Sequence, residues 1–213
     1  MVPSVLPVRV MMATTHVLVG VGIAAVASLV APDFSLLSLV AAAAGGVVPD
    51  LDLYAGHRKT LHYPVYYSVA SLFAGGLYML SPSPIRLALA LFLIAAGTHS
   101  FMDAFGGGLE LRPWQGTSDR AVYSHYHGRW LRPRRWIPYD GAPSDLGLAI
   151  LVSLPALFAF DGQVSLAIGG LLLISGVYVA LRKPLVWVAT WLYDRVPDSL
   201  RGRLPERFVQ GLS

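Results

Sequence analysis

Residues 97–108 read GTHSFMDAFGGG, and they close an apolar run, LALALFLIAA, at residues 87–96. An uninterrupted apolar run belongs in a bilayer or a protein core. An imidazole and a carboxylate do not belong in either without a partner. On a helix, positions i and i+4 share a face, so His99 and Asp103 leave the same side of the segment. Ionisable groups at membrane depth are costly and mark functional sites by default. The reading of the chain turns on whether other segments bring similar residues to the same level.

Composition sets the class. Apolar residues make up 55% of the 213 positions and charged residues 13%, about half the roughly 25% of an ordinary globular domain. Mean hydropathy is +0.58. So few charges cannot cover the surface of a water-soluble fold of this size, and the alternative is an unusually apolar soluble helical bundle. With no cysteine, disulfides and thiolate metal sites are excluded, so any metal must be held by His, Asp or Glu. The first residues, MVPSVLPVRVMMATTH, carry one Arg and no small-residue cleavage site. They do not read as a removable signal peptide, and Met11 or Met12 is an alternative start to Met1.

Six apolar segments follow, at about residues 14–31, 34–48, 64–80, 85–102, 146–160 and 163–181. Several are shorter than the roughly 20 residues of a comfortable span. Their small residues, among them Gly20, Gly22, Gly45, Gly46, Gly75 and Gly76, suit close helix approach. The links at residues 32–33, 81–84 and 161–163 read as tight helical turns. The expected fold is therefore an all-α, polytopic membrane helical bundle of about six spans, forming a single membrane domain over 1–213. Its divisions are a four-span core at 12–105, a cytoplasmic cap loop at 104–145, a helical hairpin at 146–181, and an interfacial helix with a basic tail at 182–213. Residues 184–193, PLVWVATWLY, are too short to span, and their Trp and Tyr suit the headgroup layer. The cap is expected to carry hairpin character near residues 109–114 and 130–139.

The basic residues orient this bundle. With six spans and the N-terminus in the cytoplasm, the cytoplasmic segments hold Arg9, Arg58 and Lys59, six arginines from Arg112 to Arg135, and six basic residues from Arg182 to Arg207. Arg86 alone falls outside. That asymmetry is the positive-inside signature. It predicts a multi-pass protein of the inner or plasma membrane with both termini cytoplasmic.

This topology rests on Lys and Arg alone, yet it gathers every histidine at one face. His16 opens span 1. Asp50 and Asp52 follow span 2, and His57 and His62 precede span 3. His99 and Asp103 end span 4, and His125 and His127 lie in the cap. Asp50 and Asp52 flank one residue after a proline, which can turn both carboxylates to one side of an extended segment. His57 and His62 bracket a short basic turn. His125 and His127 alternate in a strand-like stretch, and whether they join the site stays open. Imidazole with carboxylate suits zinc, manganese or iron, and this set suffices for one or two ions. Such ions lower the pKa of a bound water and clamp a phosphate oxygen. The residues expected to bind metal are His16, Asp50, Asp52, His62, His99 and Asp103. His57 is expected as a ligand or acid/base group, and Arg58 and Lys59 as orienters of an anionic group.

Four of these motifs, TTH (14–16), VPDLD (48–52), HRKTLH (57–62) and HSFMD (99–103), stand in the order and context of a known family. Over about residues 12–105 the chain resembles the LexA-binding, inner-membrane-associated metal-dependent hydrolases. It departs from their usual HR…THS segment by one extra residue and by Tyr63-Pro64 where Ser is common. The resemblance implies a membrane helical bundle with a His/Asp metal site and hydrolase activity. By fold-level analogy alone, the centre is similar to that of zinc-dependent phospholipase C.

The expected activity is thus metal-dependent hydrolysis of a phosphoester, lipid included, at the cytoplasmic membrane face. Membrane lipids and an anionic or phosphorylated substrate are the expected partners, and a soluble protein partner at that face is compatible. Nucleic acid is disfavoured, because juxtamembrane arginines more often meet anionic lipid. The competing class is a non-enzymatic membrane protein, either an ion transporter or a scaffold. A transporter places its ligands near mid-bilayer, whereas these gather at span ends. A scaffold leaves the His/Asp set without a role.

Overall fold

The computed structural model describes residues 13–201. Arg9 and the alternative starts lie outside the described residues, as does the basic tail beyond residue 201. Each apolar segment becomes a helix. These are α1 (Ala13–Ser28), α2 (Leu36–Val47), α3 (Pro64–Leu80), α4 (Pro84–Met102), α5 (Pro143–Ala159) and α6 (Gln163–Asp194). A short α7 (Asp198–Arg201) follows. Proline opens α3, α4 and α5, where its missing N–H costs nothing and its fixed φ suits a first helical turn. At α4 the Ser83 hydroxyl also accepts from the Arg86 N–H, a standard N-cap.

The helices pack in the spatial order α3, α4, α2, α1, α5, α6, with α1 also touching α4 and α6. Leu18, Val21, Leu39, Leu87, Leu91 and Ile168 centre the core, filled out by alanines. Small residues bring the backbones together. A Cβ on Gly20 would collide with the Ala42 carbonyl, and one on Gly46 with the His16 carbonyl. Gly22 and Gly45 face the Val152 and Phe92 carbonyls in the same way. Gly75 and Gly76 do not belong with them, since a side chain at either would meet nothing within 4 Å.

Leu36–Leu53, Pro84–Phe105 and Gln163–Asp194 are long and apolar enough to cross a membrane; α1 and α5 are apolar but shorter. Among the described residues, length and composition thus support three of the six expected spans. Large apolar side chains cover the outside, among them Leu29, Leu72, Phe73, Leu80 and Phe158, all more than 70% exposed. A water-soluble monomer rarely exposes so much apolar surface.

Two expected boundaries are corrected. Residues 184–193 are not a separate interfacial helix: α6 continues through Pro184 to Asp194 without a break. Arg182 and Lys183, read in the sequence as part of the basic cytoplasmic segment, hold the cap. Arg182 pairs with Asp140 at 3.3 Å and donates to the Leu111 carbonyl. Lys183 lies over the Trp114 and Tyr139 rings. The hairpin is also shifted. Strand β1 (Tyr123–Ser124) pairs antiparallel with β2 (Arg129–Trp130), in register Tyr123 with Trp130. The intervening turn needs a left-handed residue, which Gly128 supplies at φ 61. His125 and His127 therefore sit in that turn and not in a strand.

Candidate metal centre

The helix ends position the cluster. His16 sits in the first turns of α1, its backbone against Gly46 near the end of α2. His99 and Asp103 end α4. Asp50 and Asp52 lie in a 3-10 helix, Val48–Tyr54, not in an extended segment. With about three residues per turn, positions two apart diverge. The two carboxylates accordingly serve opposite edges of one ring: Asp50 Oδ1 lies 3.7 Å from His62 Nε2, and Asp52 Oδ2 lies 3.0 Å from His62 Nδ1.

Asp52 organises the 57–62 turn. Besides His62 it faces His57 Nδ1 at 3.1 Å. It also accepts from the backbone N–H groups of Arg58, Lys59 and Leu61. With both oxygens so engaged, it belongs to neither group of residues close enough to share an ion. Those groups are His16–His99–Asp103 and Asp50–His62–His99, all buried. Of the six residues expected as metal ligands, the fold brings five into these groups and sets Asp52 behind one of them.

The hydrogen bonds settle which nitrogens are bare. A carbonyl only accepts, so His99 Nδ1, 2.7 Å from Gly46 O, is the N–H. A carboxylate likewise makes His62 Nδ1 the N–H toward Asp52. In the neutral rings both Nε2 atoms then carry lone pairs, and they face each other at 3.2 Å. Asp50 Oδ1 is 3.4 Å from His99 Nε2, and Asp103 Oδ2 is 3.0 Å from His62 Nε2. Four Lewis bases converge on a spot that needs a cation. Both oxygens of Asp103 and Asp50 Oδ2 are buried without a hydrogen-bond partner, although buried polar groups are ordinarily satisfied. The donor set fits a divalent ion on these grounds. Without an ion, a proton takes the cation's part. Burial alone would lower the His62 pKa, but Asp103 and Asp52 beside its two nitrogens override this and push it up to about 9.

Arg58 is buried, at φ 58, a conformation that non-glycine residues hold only when the surroundings enforce it. Its Nη2 lies 3.4 Å from Asp103 Oδ1, and its Nη1 donates to the Gly107 carbonyl at 2.9 Å. Lys59 turns outward, its Nζ 4.6 Å from the Tyr123 ring centre. The cap hairpin clamps this turn: the Tyr123 N–H donates to the Arg58 carbonyl, His125 Nε2 donates to the Lys59 carbonyl at 2.6 Å, and His125 packs on Tyr63. His127 faces Ser124 Oγ. Neither cap histidine belongs to the metal-capable groups.

Sequence reasoning missed the Gly46 carbonyl, a main-chain acceptor that no side-chain pattern reveals. It also missed a second buried polar group. Asp145 accepts from Thr15 Oγ1 at 2.9 Å and from the Gly141 N–H at 3.0 Å, and Tyr178 donates to Asp140 at 2.9 Å. The available signal was YDGAPSD at 139–145, two acids around a glycine before a helix.

No protein-family model, curated protein or solved structure matches the chain. The fold and the centre themselves define the class. This is a mostly helical, apolar protein that has, among the described residues, three helices long and apolar enough to cross a membrane and buried His/Asp groups able to hold a metal ion.

Proposed function

We propose that the chain is a membrane-embedded, metal-dependent hydrolase acting on a phosphoester, a phospholipid headgroup included, at the cytoplasmic face. The observation that carries this reading is the convergence of His62 Nε2, His99 Nε2, Asp50 Oδ1 and Asp103 Oδ2 in one buried spot, with the two ring nitrogens 3.2 Å apart. Zinc is the ion proposed, with manganese or iron acceptable to the same donors. A bound divalent ion supplies Lewis acidity toward a phosphoryl oxygen and toward the attacking water.

The chain's own residues would divide the remaining work. Asp52 holds the tautomer and tilt of His62, as carboxylates behind ligating histidines do. Asp52 also orients His57, whose Nε2 is buried without a partner, so His57 can hold or give a proton at that atom. Lys59, at the exposed rim, meets the anionic group on arrival. The cap hairpin keeps the turn closed over the cluster.

In this reading α1, α3 and α5 also span. At 16 to 17 residues they are about 24–26 Å long, short for a bilayer but tolerable with local thinning. Six spans with cytoplasmic termini would leave Arg86 as the one basic residue at the outer face. The motif order that resembles the membrane-bound metal-dependent hydrolases supports the same assignment.

One observation favours a second reading. His16, His62, His99 and Asp103 are at most 1% exposed, and sealed sites are characteristic of structural ions. The chain would then be a scaffold with an ion-locked core. Metal analysis of detergent-purified wild type, His99→Ala and Asp103→Ala comes first. Near-zero metal in all three would sink both readings. Hydrolysis of phospholipid or soluble phosphoesters, abolished by chelation and restored by zinc, is the outcome expected of the enzyme. A loaded protein that hydrolyses none of them, yet loses thermal stability on chelation, is a scaffold.

A further inference from the structure

We infer that the centre holds one ion, on Asp50, His62 and His99, while His16 and Arg58 serve Asp103 and do not touch the ion. The inference rests on the metal reading above and narrows it.

Both metal-capable groups use His99. Its Nδ1 is committed to the Gly46 carbonyl, so Nε2 carries the ring's one available lone pair. One imidazole lone pair binds one ion. The two groups are therefore alternatives, not halves of a two-ion site.

Ring geometry chooses between them. A metal–imidazole bond lies in the ring plane. His16 and His99 are stacked, with centroids 3.8 Å apart and planes only 24° from parallel. No ion can lie close to both planes at bonding distance. His62 and His99 are inclined at 64°, and their Nε2 lone pairs converge. Ligand atoms about 2.0–2.1 Å from a tetrahedral ion lie about 3.3 Å from each other. The separations among His62 Nε2, His99 Nε2 and Asp50 Oδ1 are 3.2, 3.4 and 3.7 Å. In the competing group, Asp103 Oδ1 already has Arg58 Nη2 at 3.4 Å and His16 Nε2 at 3.7 Å.

Charge agrees. Asp50, Asp52 and Asp103 with Arg58 sum to two negative charges. One divalent ion neutralises them. A second would leave two positive charges buried, which is strongly penalised away from water. Asp103 Oδ2, 3.0 Å from His62 Nε2 and 3.8 Å from His99 Nε2, would complete the shell as a fourth donor beside those three.

The test uses the full chain in detergent, stripped with chelator, reloaded with Zn²⁺ and desalted. One zinc per chain is expected. Two would overturn the inference while leaving the hydrolase reading standing, and none would overturn the metal reading beneath it. X-ray absorption on the loaded wild type is expected to show two imidazoles among oxygen ligands; three would overturn the assignment without any mutation. In variants, His16→Ala should keep one zinc with affinity within a few-fold of wild type. Asp50→Asn and His62→Gln should each weaken binding by at least about 100-fold, beyond what loss of an outer partner costs. Loss of zinc in His16→Ala with retention in His62→Gln would reverse the ligand set and overturn the proposal.

Discussion

At the scale of single residues, the centre is governed by what each histidine nitrogen faces. Asp52 decides this for His62 from behind, so it acts on the ion at one remove. Asp52→Asn keeps the size but gives the turn one acceptor where two are used. Zinc affinity is expected to fall about 10–100-fold, measured by competition with a chromophoric chelator, with the helical content unchanged. The raised His62 pKa sets a pH dependence for the metal-free protein. A group whose folded pKa lies above its unfolded value of about 6.5 stabilises fully below that value and loses its contribution as pH rises toward about 9. The melting temperature of chelated protein should therefore fall between about pH 6.5 and 9. Zinc needs the deprotonated nitrogen, so the stabilisation on adding zinc should grow over the same window. A chelated protein whose melting temperature is flat across that window would remove His62 as the proton's seat.

At the scale of elements, the glycines on the inner helix faces matter more than those on the outer ones. Gly46 lets α2 press on the His16 backbone and lends its carbonyl to His99. Gly46→Ala must push helices apart and is expected to cost about 1–3 kcal/mol and to weaken zinc binding. Gly75→Ala, on the open face of α3, should instead be neutral or stabilising by up to about 1 kcal/mol through helix propensity. Thermal melts of the two variants beside wild type make the comparison. The long α6 is tied to the cap through the Arg182–Asp140 pair. Breaking such a buried pair from one side costs about 3–5 kcal/mol. Arg182→Ala is expected to release the cap, read as new protease cleavage within residues 104–142 while the helices survive.

At the scale of the whole molecule, the proposed orientation rests on the one-sided distribution of basic residues along the sequence. The absence of cysteine in the sequence makes single-cysteine labelling straightforward. Ser83→Cys, in the turn between α3 and α4, should react with an impermeant maleimide in intact cells. Arg129→Cys, on the cap, should react only after permeabilisation. The reverse pattern would invert the proposed orientation, and labelling of both from outside would overturn the proposed six-span topology. The exposed apolar belt of α3, α5 and α6 predicts that the protein leaves the membrane only with detergent.

The six helices were legible in the sequence because apolar runs and Pro or Gly punctuation are local signals. So was the gathering of His16, Asp50, His62, His99 and Asp103, because antiparallel helices joined by short turns bring alternate ends together and the basic residues say which ends. The unity of α6 was not legible. Arg182, Lys183 and Pro184 look like a stop, and only the packed structure shows the helix running on with Arg182 and Lys183 turned to the cap. Nor could spacing reveal that Asp52 stands behind His62, that His16 stacks flat on His99, or that a main-chain carbonyl at Gly46 settles a tautomer. Local pattern by itself determined which residues reach the end of the bundle. Their division into ligands and supports was decided by ring planes and hydrogen-bond partners, which exist only once distant segments have packed.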